Sequence, residues 1–284
     1  MRLAIVLGVL VGLGLSCQAR RVEPPRPVVR PPAPTPVRAS TPVPRVTPPP
    51  APEPTPGLRA TEAPAGRPRI AIVFDDAGGS LEDVEEIIAI GRPVTVAVLP
   101  GLAHSSEVAR RAAAAGLEVI LHLPIEATGH QPLGPHGVRV SMSDAEIAAT
   151  VRAALHTVPG AVGVNNHMGS LGTADRRVMR AVLAVARQKG LYFVDSRTTA
   201  DTVAADVAAE LGVPRASRTI FLDNANEEEA IRAEVQRLIS LARTRGEAIA
   251  IGHAQHLAPR IVAQMRDEFD RQGVELVPLS MLVR

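Results

Sequence analysis

Cysteine is almost missing from the chain. Cys17 is the only one among 284 residues, so no intrachain disulfide can form and no thiolate-built metal site is available. Tryptophan is absent, tyrosine occurs once, and aromatic residues make up 2% of the sequence. A long binding groove that grips its ligand by stacking on aromatic faces is therefore poorly supported. No Gly-x-Gly-x-x-Gly follows the first apolar run of the C-terminal region, which leaves a dinucleotide-binding fold without support. Basic charge is not spread evenly. Residues 1–69 carry ten Arg against three Glu, a net of +7, while residues 70–284 hold 21 basic and 26 acidic residues, a net of −5. The sequence pI of about 9.3 averages a basic leader and an acidic domain, and it gives no sign of a nucleic-acid-binding domain.

The first quarter of the chain reads as appendage. Met1-Arg2, the apolar segment Leu3 to Leu15 and the small pair Ser16-Cys17 have the three-part layout of a secretory signal, over residues 1–17, and the apolar part is short for a membrane span. Gly14-Leu15-Ser16-Cys17 resembles a bacterial lipoprotein signal with its Leu one place late. The expectation is export to the periplasm or cell envelope, with lipid attachment at Cys17, cleavage without lipid, or retention as a weak anchor as the three versions. Lipid labelling and membrane retention of a Cys17→Ser variant separate the first two. Residues 18–68 form a Pro/Arg-rich segment; 17 of the 26 prolines lie in residues 1–69. Such a tract favours extended polyproline II over helix or ladder and predicts a disordered tether spanning on the order of 100–150 Å, at about 3.1 Å per residue.

From residue 69 to residue 284, short apolar runs alternate with longer helical patterns, the signature of a parallel α/β domain. Eight runs predict strands: Ile70–Phe74, Val94–Leu99, Glu118–His122, Ala161–Val164, Leu191–Val194, Thr219–Leu222, Ala248–Ile251 and Val274–Val277. Helix starts are written at Ser80, at Ser143 with Glu146 three residues on, and at Asn226 before an acidic turn. The helix from Glu227 to about Arg245 places Ile231, Val235, Leu238 and Ala242 on one face. The count predicts a closed or nearly closed, distorted β/α barrel of about seven to eight parallel strands; an open doubly wound sheet is the alternative.

Polar residues stand at the carboxyl end of strand after strand, and in a β/α barrel those ends form one rim. Asp75 and Asp76 follow the first strand, His122 and Glu126 the third, Asn165, Asn166 and His167 the fourth. Asp195 follows the fifth, Asp223 the sixth and His253 the seventh. Adjacent residues on an extended strand face opposite sides, so Asp75 and Asp76 are expected to serve different tasks. Carboxylate and imidazole together specify a divalent metal, zinc first, and Asp76, His122 and His167 are the candidate ligands. Glu126 is a weaker candidate because Pro124 argues against the helix that would put it on the face of His122. His104, His130, His136, His156 and His256 read as loop or surface histidines.

With these motifs in place, residues 69–284 resemble the divergent polysaccharide deacetylase family, a branch related to the NodB-type carbohydrate esterases. The resemblance is carried by Val-Phe-Asp-Asp-Ala-Gly (73–78), Leu-His-Leu-Pro-Ile-Glu (121–126), Val-Asn-Asn-His-Met-Gly-Ser (164–170), Phe-Val-Asp-Ser (193–196), Phe-Leu-Asp-Asn (221–224) and Ile-Gly-His (251–253). It implies a distorted barrel, a divalent metal and hydrolysis of N-acetyl groups on an envelope polysaccharide. It also implies roles: Asp75 as base, Asp76 and His122 as metal ligands, His253 as acid. The second His of the His-x-x-x-His pattern falls on Glu126, and the Arg-x-Pro-Tyr segment is replaced by residues 165–170. Asp195 is expected to orient His253 or to contact sugar hydroxyls, and Asp223 to serve a structural or supporting role. Two other functions suit the same residues: a non-catalytic envelope protein that binds glycan or a partner at the rim, and a metal hydrolase of another small acyl ester or amide.

Overall fold

A computed structural model describes residues 66–129 and 131–284. The expectations for a signal over residues 1–17 and for the tether up to residue 65 lie outside the described residues. Among the described residues, no helix is long and apolar enough to cross a membrane.

Nine strands and seven helices alternate along the domain. They are β1 (Arg69–Ala77), α1 (Leu81–Ile88), β2 (Thr95–Val98), α2 (Ser105–Ala114), β3 (Glu118–Ile125), α3 (Asp144–Thr157), β4 (Gly163–Met168), α4 (Arg176–Gln188) and β5 (Tyr192–Asp195). There follow α5 (Ala204–Leu211), β6 (Arg215–Ser217), β7 (Ile220–Phe221), α6 (Glu228–Arg245), β8 (Glu247–His253), α7 (Ala258–Arg271) and β9 (Glu275–Leu276). The helix starts have the chemistry their sequences announce. Ser80 accepts from the Glu82 amide, and Ser143 and Glu146 form a reciprocal capping box. All eight predicted strands are present, and β6 is an addition to them.

Every strand pair is parallel, in the order β6-β5-β4-β3-β2-β1-β8-β7, with β9 on the far part of β1. The two ends of this path, β6 and β7, are consecutive in sequence with only Arg218 and Thr219 between them. The Arg218 amide donates to the Asp195 carbonyl on one side of the gap, and the Thr219 amide donates to the Ile249 carbonyl on the other. The sheet therefore curls until its ends are joined by the chain itself, without a ladder between them: a distorted β/α barrel with a seam.

The period of two along each strand divides the core into two layers. Ile70, Ile72, Phe74, Val96, Val98, Val119, Leu121 and Phe193 face outward into the shell of helices. Ala71, Val73, Ala97, Ile120, Tyr192, Val194, Ile249 and Ile251 face inward and meet Val277, Leu279 and Leu282 of the C-terminal segment. At Gly163 the lack of a side chain is obligatory, because a Cβ there would lie 2.3 Å from Tyr192 Cε2. One step beyond the inward layer, at the carboxyl rim, the same parity delivers Asp75, His122, Asn165, Ser196 and His253.

Candidate active site

β1 does not keep its alternation to the end. Asp76 has φ of 62°, in the left-handed region that Asp tolerates better than most residues, and the register of β1 against β2 shifts between Phe74 and Ala77. A bulge of this kind re-aims a side chain. Both carboxylates consequently enter the same cleft: His122 Nε2 lies 3.6 Å from Asp75 Oδ2 and 3.1 Å from Asp76 Oδ1. The expectation that the two acids point to opposite sides is corrected by this turn, although they still meet different partners.

Asp76, His122 and His167 come together. Asp76 Oδ1 is 2.7 Å from His167 Nδ1, and the two imidazole nitrogens, His167 Nδ1 and His122 Nε2, are 3.2 Å apart. These are hydrogen-bond lengths, yet Asp76 Oδ1 is a buried oxygen with no correctly directed hydrogen bond. Three donor atoms at such spacing, with the carboxylate oxygen aimed at neither ring proton, are arranged around a shared point, as ligands of one cation are. The tautomer of His122 is set from behind. Its Nδ1 donates to Asn165 Oδ1 at 2.8 Å, so that once the ring is neutral the lone pair falls on Nε2, and the amide nitrogen of Asn165 donates to Asp75 Oδ1 at 2.7 Å. Gln255 Nε2 reaches Asp76 Oδ2 at 3.3 Å. The donor set of one carboxylate and two imidazoles fits a divalent metal with positions left open.

Charge follows this geometry. Burial raises the Asp75 carboxyl above its usual range against the pull of His122 and the Asn165 amide. Burial acts the same way on Asp76, but the imidazoles of His122 and His167 beside it outweigh burial and hold that carboxyl far below the usual range. Burial disfavours charge on His122, and the carboxylates of Asp75 and Asp76 override it, pushing the imidazole up to about 9.

His253 stands across from this group. Asp75 and His253 are register partners on β1 and β8, so their side chains neighbour each other on the inner face. His253 Nδ1 is 2.9 Å from Asp223 Oδ1, and the His253 amide donates to Asp223 Oδ2 at 2.7 Å. Burial lowers the proton affinity of His253, but the carboxylates of Asp223, Asp75 and Asp76, Asp223 foremost, together raise it by more. The carboxylate that orients His253 is thus Asp223 and not Asp195. Asp195 sits on the outward parity of β5 and spends its two oxygens on the Arg197 amide and the Thr202 hydroxyl, so it shapes the loop after β5. Asp223 also takes His256 Nδ1 at 3.1 Å, which removes His256 from the class of plain surface histidines. The spacing of three between His253 and His256 is the signal that sequence reading passed over.

Glu126 lies outside the ligand group. Its carboxylate accepts from the Val140 amide at 2.7 Å and its carbonyl accepts from the Leu171 and Gly172 amides, so it ties two rim loops together. Asn166 does the same for the loops after β4 and β5 through the Ser196 amide and the Met168 carbonyl. His104 precedes α2 as its cap residue without a capping side-chain bond.

Relatives agree with this architecture. The chain is 39% identical over 208 residues to YibQ of Escherichia coli K12, a match that spans 73% of this chain and 65% of that protein, just under two thirds of its length. It is 36% identical over 218 residues to a protein of Haemophilus influenzae, spanning 76% of this chain and 77% of the other. The fold is similar to the crystal structure of ATU2773 from Agrobacterium tumefaciens C58, with a TM-score of 0.73 at 22% identity, over 79% of this chain and 92% of that one. Residues 72–283 match the model of the divergent polysaccharide deacetylases, and the chain belongs to that family.

Proposed function

We propose that the protein is a metal-dependent deacetylase of N-acetylated envelope polysaccharide. The observation that carries the reading is the meeting of Asp76 Oδ1, His122 Nε2 and His167 Nδ1, at separations of 2.7 to 3.2 Å around an otherwise unsatisfied buried oxygen. When bound there, a divalent cation, zinc by the nitrogen and oxygen character of the donors, supplies polarisation of an amide carbonyl and easier ionisation of water.

The remaining steps belong to side chains of this chain. Asp75 takes a proton from the attacking water; burial raises its proton affinity and so makes it a better base than an ordinary carboxylate. Asn165 holds Asp75 Oδ1, which leaves Oδ2 for that proton. His253, fixed through Nδ1 by Asp223, presents Nε2 with a proton for the departing sugar amine, which cannot leave as an anion. The products are acetate and a free amine. Export of the chain, with or without lipid at Cys17, would bring this site to an envelope glycan.

Metal analysis joined to an acetate-release assay on N-acetylated glycans tests the reading. His167→Ala should lose bound metal and activity with little loss of stability, because its side chain is a quarter exposed and packs little. Asp75→Asn should keep the metal and lose turnover by about 100-fold or more, as expected for removal of a general base. Asp75→Asn protein that releases acetate as fast as the parent would overturn the mechanism.

A further inference from the structure

At the seam of the barrel Arg218 holds the backbone of Arg197, and among the described residues neither guanidinium is paired with an acid. Arg218 bridges β6 and β7. Its guanidinium donates from Nε to the Ser196 carbonyl at 2.7 Å and from Nη2 to the Arg197 carbonyl at 3.0 Å, and it lies 3.7 Å from the centroid of the Phe221 ring. The Phe221 ring stacks in turn on His253, with centroids 6.0 Å apart and planes 15° from parallel. Those two contacts keep the guanidinium within 9.7 Å of the imidazole, a span that a sugar and its neighbour can bridge. On the other side, Ser196 Oγ is 3.4 Å from the Asn165 amide that holds Asp75. Arg218 is thus linked to the acid through Phe221 and to the base through Ser196 and Asn165.

Arg197, exposed at the head of the loop after β5, is forced into the left-handed region with φ of 50°. Its amide is held by Asp195 and its carbonyl by Arg218. Strain of this kind in a non-glycine residue is held in place by its surroundings and gathers at binding sites. Other arginines of the same half of the domain hold acids: Arg176 and Arg180 grip Glu210, and Arg177 grips Asp144. Among the described residues, Arg197 and Arg218 form no such pair. Burial and the neighbouring Arg197 lower the proton affinity of Arg218, and the charges of Asp195 and Asp75 do not fully offset them. An oxyanion beside the Arg218 guanidinium would relieve that repulsion and take the donors that the two carbonyls leave free.

We infer that Arg197 and Arg218 form an anion subsite near the catalytic groups, and that the glycan deacetylated here carries a carboxylate or phosphate on the acetylated sugar or its neighbour. The inference rests on the deacetylase reading for the reaction and on the arginine pair for the substrate class. It also accounts for a glycan site with so few aromatic residues: recognition passes from stacking to charge.

The test uses the full chain loaded with zinc and four trisaccharides of N-acetylglucosamine: the neutral sugar, its carboxymethyl ether, the methyl ester of that ether, and its 6-phosphate. Kd is measured by calorimetry at two salt concentrations, and kcat/KM by acetate release. The carboxymethyl ether or the phosphate should bind at least about tenfold tighter than its uncharged counterpart, a preference that weakens with salt. Whichever arm shows the preference identifies the oxyanion. Arg197→Gln and Arg218→Gln should each bring the ratio of charged to uncharged affinity toward one. Because Arg218 also ties two loop carbonyls, Arg197→Gln decides the matter if Arg218→Gln fails to fold. Equal affinity for charged and uncharged sugars in the parent, or a preference that survives both substitutions, overturns the subsite. Preferential binding without acetate release would sink the deacetylase reading and leave the subsite standing; release without preference would do the reverse.

Discussion

Replacing Asn165 by Ala removes a side chain that is fully buried and that serves two masters. Its carbonyl oxygen takes the His122 Nδ1 proton at 2.8 Å, and its amide nitrogen donates to Asp75 Oδ1 at 2.7 Å. Each partner is left buried with an unmet bond, which costs about 1–3 kcal/mol apiece, so the metal-free protein should lose roughly 2–6 kcal/mol by urea denaturation. A water entering the space would hold the loss toward the lower end. The second effect is on the metal. Without the bond at Nδ1, His122 can carry its proton on Nε2, the atom facing Asp76 and His167. Partners that fix a ligand's tautomer are worth about 10–100-fold in metal affinity, which is about 1.4–2.8 kcal/mol. Chelator competition measures that affinity, and Asn166→Ala serves as the control. Asn166 bonds to the Met168 carbonyl and the Ser196 amide and not to His122, so its loss should lower stability and leave metal affinity near the parent value. If Asn165→Ala and Asn166→Ala bind metal equally well, the tautomer argument is refuted.

Three more outcomes follow from the same geometry. His122 in the metal-free protein holds its proton up to about pH 9, above its ordinary value near 6.5. Its contribution to stability is therefore complete below about pH 6.5 and disappears as pH rises through 9, and metal uptake at pH 7.5 should expel about one proton from this residue; calorimetry in buffers of different ionisation heat counts it, and no release at pH 7.5 would contradict the assignment. Asp223→Asn keeps an acceptor for His253 Nδ1 but removes the charge that raises its proton affinity, so the alkaline limb of the kcat/KM profile should move to lower pH, and an unmoved limb would exclude Asp223 as the positioning group. Gly163→Ala drives a Cβ into the Tyr192 ring and should cost about 1–3 kcal/mol, roughly 2–12 °C in Tm; the change can be followed by the fluorescence of Tyr192, the sole tyrosine.

Strand positions were legible because buried parallel strands are apolar on both faces and too short for helices. The same property hid which face each rim residue occupies. Leu191-Tyr192-Phe193-Val194 is apolar throughout, so nothing in it says that Tyr192 and Val194 face inward and that Asp195 must therefore face out. The assignment of Asp195 to His253 fell on that ambiguity. Asp223 lies two residues beyond the short β7, where parity does not reach, and only the curl of the sheet brings it to β8. Strand β6 escaped notice because Arg215-Ala216-Ser217 has no apolar run; it is a strand through its pairing with β5 and the mutual backbone bonds of Arg215 and Arg284.

The bulge at Asp76 shows why a rim can be read from residue types while its geometry cannot. Alternation would send one of two consecutive acids into the helical shell, where an unpaired carboxylate is costly. A single residue at positive φ returns it to the cleft. Asp followed by Ala-Gly-Gly tolerates that turn, whereas a β-branched residue at 76 would resist it. The pair Asp75-Asp76 thus supplies two carboxylates to one cleft from a single strand end. Asp75 keeps its place in the inward row beside His253, and Asp76 leaves the row to meet His122 and His167. The separation of the proposed base from the proposed ligand rests on the bend in the backbone, and Asp76→Ala should abolish metal binding while leaving Asp75 and His253 in register.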